Sequence, residues 1–309
     1  MPTNADRSLL ALERRGFFAK AMGTIALGAG LGDSRLACAQ PTSRPAPTSP
    51  PPRAGSVNVE PKGAVLMIGI DRPPGNLLDA PVFIGLGTAL QRLERDDSLR
   101  VGVMYAAGPD FSLGVDVASL AAAQQAGQFP PKDGFISPFG LRPPYRTKPL
   151  VVAVQGQTRY GGHELFLAAD IRVAAADSVF SQGEVTRGVF PGGGATIRLP
   201  REAGWGNAMR YMLTGDEWGA DEAFRMGLAQ VVVPAGRQID RAVELASRVA
   251  DAAPLGVRAT LTSARSALTN EEAAFAGLAA EFGRLVQSAD RKEANQAAQE
   301  GRKPAFRGL

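Results

Sequence analysis

The sequence predicts an α/β protein: a layer of buried strands interleaved with helices, followed by a mostly helical C-terminal section. Three observations carry that prediction. Short apolar runs at residues 64–70, 101–107, 150–154 and 171–174 read as buried strands. Between them lie stretches with helical spacing, such as Phe83, Leu86, Leu90 and Leu93 within 81–95, and a short helix-like piece at 164–169. After Pro191-Gly192-Gly193-Gly194 the pattern changes. Residues 195–213, 220–226, 237–252, 255–268 and 271–301 read as helical, and only 229–233 as extended. Strand and helix in alternation belong to α/β architecture.

Taken in order from the start, residues 14–20 (Arg-Arg-Gly-Phe-Phe-Ala-Lys) resemble a twin-arginine export signal. The mildly apolar stretch behind it, 21–32, is too short to span a bilayer. Ala37-Cys38-Ala39 then supplies the small residues a signal peptidase needs, which predicts cleavage before Gln40. The competing reading is an amphipathic surface helix. The signal implies folding in the cytoplasm, passage through the twin-arginine translocation machinery and residence in the periplasm. Cys38 is the only cysteine, so a mature chain cleaved after Ala39 holds none and uses no disulfide. A lipid anchor at Cys38 is the alternative, disfavoured because Arg35 sits where such sites prefer an apolar residue. Residues 40–56 carry six prolines and no large apolar side chain, the composition of an extended tether. The predicted organisation is a signal at 1–39, a tether at 40–56, an α/β core at 57–194 and a helical section at 195–309.

With 309 residues, 45% of them hydrophobic and 21% charged, the chain has enough apolar surface for a large core. The net charge of +4 lies partly in residues 1–39, and the remainder holds 29 basic and 27 acidic groups. No run of Lys or Arg with interleaved aromatics is present, so nucleic acid is not an expected partner. Residues 124–148, rich in Gly and Pro with isolated aromatics, read either as a lid or pocket wall or as a variable surface loop.

Three segments bear chemistry: 110–116 (Asp-Phe-Ser-Leu-Gly-Val-Asp), 155–165 (Gln-Gly-Gln-Thr-Arg-Tyr-Gly-Gly-His-Glu-Leu), and 180–184 (Phe-Ser-Gln-Gly-Glu) running on to 188–194 (Gly-Val-Phe-Pro-Gly-Gly-Gly). With the closing stretches 288–293 and 302–306, they resemble the ordered motifs of the enoyl-CoA hydratase/isomerase (crotonase) superfamily over nearly the whole chain after residue 56. The resemblance implies a ββα spiral core and a helical section that assembles a homotrimer or a dimer of trimers. It also implies an enzyme acting on a small acyl or carbonyl substrate through an enolate. Such a reaction needs N–H donors aimed at a carbonyl oxygen that gains charge. The resemblance places these on the backbone of Leu113 and Gly161, with Ser112, Gly114, Asp116, Tyr160, Gly162 and Gly192 around the pocket. Glu164 and Glu184 fall on the positions of the two catalytic glutamates. Two carboxyls in one water-poor pocket can share protons near neutrality, which suits hydration, dehydration or isomerisation.

His163 is the only histidine. Without a second histidine or a mature-chain cysteine no metal site is expected, and no Gly-x-Ser-x-Gly elbow supports a serine nucleophile. Neighbours on a helix point about 100° apart, so His163 is expected to pack behind the site. No cofactor is implied, since coenzyme A would be part of the substrate. Five positions where the superfamily grips coenzyme A have lost that residue: Pro74, Pro109 or Asp110, Ala118, Ala298 and Gly301, although Lys292, Arg302 and Lys303 lie near. Three readings follow: a hydratase/isomerase of acyl thioesters, an exported lyase or C–C hydrolase whose substrate lacks coenzyme A, or a non-catalytic binding protein on the same fold.

Overall fold

A computed structural model describes residues 55–131 and 134–309. The export segment with Arg14, Arg15 and Cys38 lies outside the described residues, as does the tether up to residue 54. The predicted tether ends two residues late: Gly55 donates its N–H to Asp79 at 3.0 Å, and Ser56 opens the first strand.

Six strands form the main sheet: β1 (Ser56–Lys62), β2 (Val65–Asp71), β3 (Val101–Ala106), β4 (Leu150–Val154), β6 (Ile171–Ala175) and β9 (Val231–Val233), in the order β1-β2-β3-β4-β6-β9. All pairings are parallel except β1 with β2. Parallel strands covered on both faces need no polar side, hence the continuous apolar runs. Leu66, Ile68, Ile70, Met104, Val152 and Val154 face a core shared with helix α1 (Ala80–Arg95). Val65, Val101, Val103, Val151, Ala153 and Val173 face the opposite way, onto Ala242, Ala246 and Ala250 of α7 (Gln238–Ala250). Alanine at every fourth position lets α7 lie close to the sheet.

A second sheet of three short strands positions the chemistry. Its members are β5 (Gln157–Arg159), β7 (Val179–Ser181) and β8 (Glu217–Gly219), in the order β5-β7-β8. Strands β5 and β7 run parallel with Arg159 opposite Ser181, so the chain leaves both at the same end. From β5 it enters α3 (Gly161–Ala168) through Tyr160, whose N–H donates to the Ser181 carbonyl at 2.9 Å. From β7 it passes through Gln182 and Gly183 into a 3-10 turn at Glu184–Arg187. Two glutamates 20 residues apart in sequence thereby start from one sheet edge.

The remaining helices among the described residues are α2 (Val117–Gln125), α4 (Ala195–Ala203), α5 (Trp205–Thr214), α6 (Ala220–Arg225), α8 (Pro254–Ala267), α9 (Glu271–Val286) and α10 (Ala289–Glu300). Two predicted long helices are each broken in two. The 195–213 stretch divides at Gly204, whose φ of +81° leaves the helical region. The 271–301 stretch divides at Ser288, whose hydroxyl caps α10 by accepting the Arg291 N–H at 3.1 Å. The chain after residue 195 also returns β8 and β9 to the two sheets, and the described residues form one compact unit. Helix α9 buries none of its side chains, and it presents Phe275 and Phe282 to the outside.

Candidate active site

Helix α3 begins on Gly161 and carries Glu164 in its first turn. The Glu164 carboxylate accepts the Ala195 N–H at 3.1 Å and a further N–H from Gly193. It therefore sits on the N-terminal end of α4, where unpaired amides and the helix dipole favour negative charge. Burial works the other way and dominates. Glu164 is only 3% exposed, and desolvation, reinforced by the charge of Glu184, raises its pKa to about 7. Glu184 is also buried, and desolvation again raises its pKa. Its Oε1 accepts Gln182 Nε2–H at 2.8 Å, while Oε2 is buried without a partner among the described residues. The structure thus places both sequence-named glutamates in buried surroundings that raise their pKa values, with the charge of Glu184 felt at Glu164.

The high pKa of Glu164 has a thermodynamic consequence. The unfolded chain gives up this proton near 4.5, whereas the folded chain keeps it to about 7. The associated stability is complete below pH 4.5 and is lost as the pH rises through 7. Between pH 5 and pH 8 the loss amounts to about 2–3 kcal/mol. Glu164→Gln cannot ionise. Its unfolding free energy relative to wild type is therefore expected to rise by that amount between the two pH values in urea denaturation. A constant difference would contradict the raised pKa.

The expected oxyanion donors fare differently. Gly161 is the first residue of α3, so its N–H has no intrahelical acceptor. A Cβ on Gly161 would lie 2.5 Å from Val115, so only glycine fits beneath that wall. Leu113 does not offer a free donor: its N–H already bonds the Gly75 carbonyl at 2.8 Å. The cause is the pairing of 75–78 with 113–116, in which Leu78 also donates to Gly114 and Asp116 to Leu78. This corrects the expectation of two open donors. Backbone strain marks both places, for the only non-glycine residues with positive φ among the described residues are Asn76 (48°) and Tyr160 (51°). Asn76 is held by bonds from Arg72 N–H and to the Ala107 and Asp110 carbonyls. The ring of Tyr160 lies under the Arg187 guanidinium, 4.1 Å from its centroid.

The other residues expected around the pocket are mostly engaged in local structure. Ser112 is fully buried, its hydroxyl accepts the Gly114 N–H at 3.1 Å, and Gly162 packs against it. Gly114, with φ +109°, leaves room for Tyr160. Asp116 is structural: it caps α2 through Ser119 and pairs with Arg72 at 2.7 Å, and Arg72 also binds Asp79 at 2.6 Å. Gly192 is exposed with nothing near it, whereas its neighbour Gly193 lies directly against Glu164. Gly193, Ala195 and Gln182 are the participants that sequence reasoning missed. The Gly-Gly-Gly run ahead of a helix was the available signal for the first two. Of the cations near the closing helix, Arg302 is paired with Glu293 and Glu300, and Lys303 with Asp251.

The chain is similar to known proteins in sequence and fold. Residues 60–308 match the family model for enoyl-CoA hydratase/isomerase. A carnitinyl-CoA dehydratase of Proteus mirabilis is 34% identical over 265 residues, covering 82% of this chain and 98% of its own. An enoyl-CoA hydratase of Mycobacterium tuberculosis is 32% identical over 254 residues, covering 80% and 95%. Among solved structures, a probable enoyl-CoA hydratase/isomerase from Mycobacterium abscessus superposes with a TM-score of 0.79 at 42% identity, covering 82% of this chain and 99% of its own. The fold is the α/β fold of these neighbours.

Proposed function

The chain belongs to the enoyl-CoA hydratase/isomerase family, and we propose that it adds or removes water, or shifts a double bond, at an α,β-unsaturated acyl group through a Glu164–Glu184 pair. The observation that carries this reading is the pair of buried carboxyls, both with raised pKa values, the charge of Glu184 adding to the rise at Glu164. One proton shared across such a pair gives an acid and a base in the same site. In hydration, the ionised carboxyl takes a proton from water as oxygen bonds the β-carbon, and the protonated one delivers its proton to the α-carbon. Dehydration runs the two transfers in reverse. The carbonyl oxygen is received by the Gly161 N–H at the positive end of α3.

The relatives' names specify coenzyme A substrates, but this chain lacks the usual lysines and pairs Arg302 and Lys303 internally. The acyl thioester is therefore the recognised part, and the nucleotide end is held weakly. Crotonyl-CoA and crotonyl-N-acetylcysteamine, which lacks the nucleotide, are expected to be hydrated with kcat/KM within about tenfold of each other, as a lost contact is worth about 1.4 kcal/mol per tenfold. A thousandfold preference for crotonyl-CoA would show that the nucleotide is gripped after all. Turnover of neither would favour the second reading, a β-dicarbonyl or unsaturated acid or ketone free of coenzyme A.

The apolar face of α9, with exposed Phe275, Leu278 and Phe282, supports assembly as a homotrimer or hexamer. Light scattering at micromolar concentration is expected to give at least the trimer mass, and a monomer mass would contradict the assembly.

A further inference from the structure

The chain's single histidine is fully buried, in a box of aromatic rings: Phe166, Phe180 and Trp218 have centroids 5.9, 5.7 and 5.1 Å from the imidazole. Its Nε2 finds no partner among the described residues, and an unpaired buried nitrogen costs free energy. Its one hydrogen-bond contact among the described residues is Nδ1 with Gln182 Oε1 at 2.5 Å. An amide oxygen can only accept, so Nδ1 carries the ring proton and Nε2 the bare lone pair. Burial lowers the pKa of His163 to about 4, keeping the ring neutral in this single tautomer.

Gln182 is itself fully buried. With its oxygen held by His163, its NH2 group points at Glu184 Oε1, 2.8 Å away. An amide turned the other way would set its oxygen against the carboxylate. Glu184 Oε2 is then the one oxygen without a bond among the described residues. We propose that His163 is a positioning residue which, through Gln182, fixes a hydrogen-bond donor on Glu184 Oε1 and thereby makes Oε2 the oxygen that exchanges protons with substrate. No proton travels along the chain of bonds; the transfer is confined to Oε2. The charged groups acting on it are Arg172 at His163, with Arg187 and Glu164 at Glu184.

The inference rests on the reading of Glu184 as an acid/base group, and its test separates the two. His163→Asn keeps an N–H near the Nδ1 position, whereas His163→Phe keeps the aromatic packing and loses the donor. Gln182→Leu removes the donor from the other side. Each is assayed with crotonyl-CoA as probe, and the Glu184 carboxyl is titrated by infrared difference spectroscopy, with Glu184→Gln identifying its band. His163→Phe and Gln182→Leu are expected to lose about 10- to 100-fold in kcat, the equivalent of one hydrogen bond to a charged group, with KM little changed. The Glu184 carboxyl should titrate at higher pH in both, because a donor to its ionised form is gone. His163→Asn should stay near wild type in both readouts. Equal behaviour of the Asn and Phe variants, or an unmoved Glu184 titration in Gln182→Leu, would overturn the proposal. Full turnover by Glu184→Gln would remove the acid/base reading alone, while the infrared shift would still decide whether His163 orients Gln182.

Discussion

Glu164→Gln and Glu184→Gln are each expected to lower kcat on crotonyl-CoA by about 10²–10⁴, the usual worth of a positioned acid or base. Glutamine keeps the shape and an acceptor oxygen, so Glu164→Gln can still accept the Ala195 N–H. Glu184→Gln can still accept from Gln182. What each variant loses is the exchangeable proton. Because the two carboxyls work as one unit, the double variant should cost little more than the worse single one. Additive losses in steady-state kinetics would mean that the glutamates act in separate steps.

Gly193→Ala is expected to be nearly as damaging without touching a titratable group. A Cβ there would stand 2.3 Å from Glu164 Oε2 and 2.6 Å from its Cδ, closer than atoms can approach. The carboxylate must swing out of its cradle on α4, and a displacement of about 1 Å at a reacting group costs on the order of 10² in rate. Gly192→Ala is the control, since nothing lies within 4 Å of a Cβ at that position. A Gly193→Ala enzyme as fast as Gly192→Ala would show that the backbone cradle does not hold Glu164 in its working place.

The fold was legible where the chain repeats one environment for long enough. The runs at β2, β3, β4 and β6 are apolar on both faces because both faces are covered. Strands β5, β7 and β8 are three residues each, too short for any periodicity to register, yet they bring Glu164 and Glu184 together. The glutamates themselves could be found through the motifs around them. Their immediate partners could not. That Gln182 faces Glu184, and that Gly193 rather than Gly192 touches Glu164, depends on side-chain direction and on contact between residues distant in sequence. The engagement of Leu113 by Gly75 was equally hidden, for it arises from the pairing of two loop segments that carry no strand signal. His163 is fully buried, and its link to Glu184 runs through a residue on another element.

The pH dependence of kcat/KM for hydration of crotonyl-CoA by the wild-type enzyme tests the shared-proton pair most directly. The working form carries one proton over two carboxyls. Activity should therefore fall at low pH, where both are protonated, and again as the pH rises past about 7, where Glu164 gives up its proton. The result expected is a bell whose upper limb lies near pH 7 in the free enzyme. A rate that stays flat from pH 5 to pH 9 would contradict proton sharing between Glu164 and Glu184.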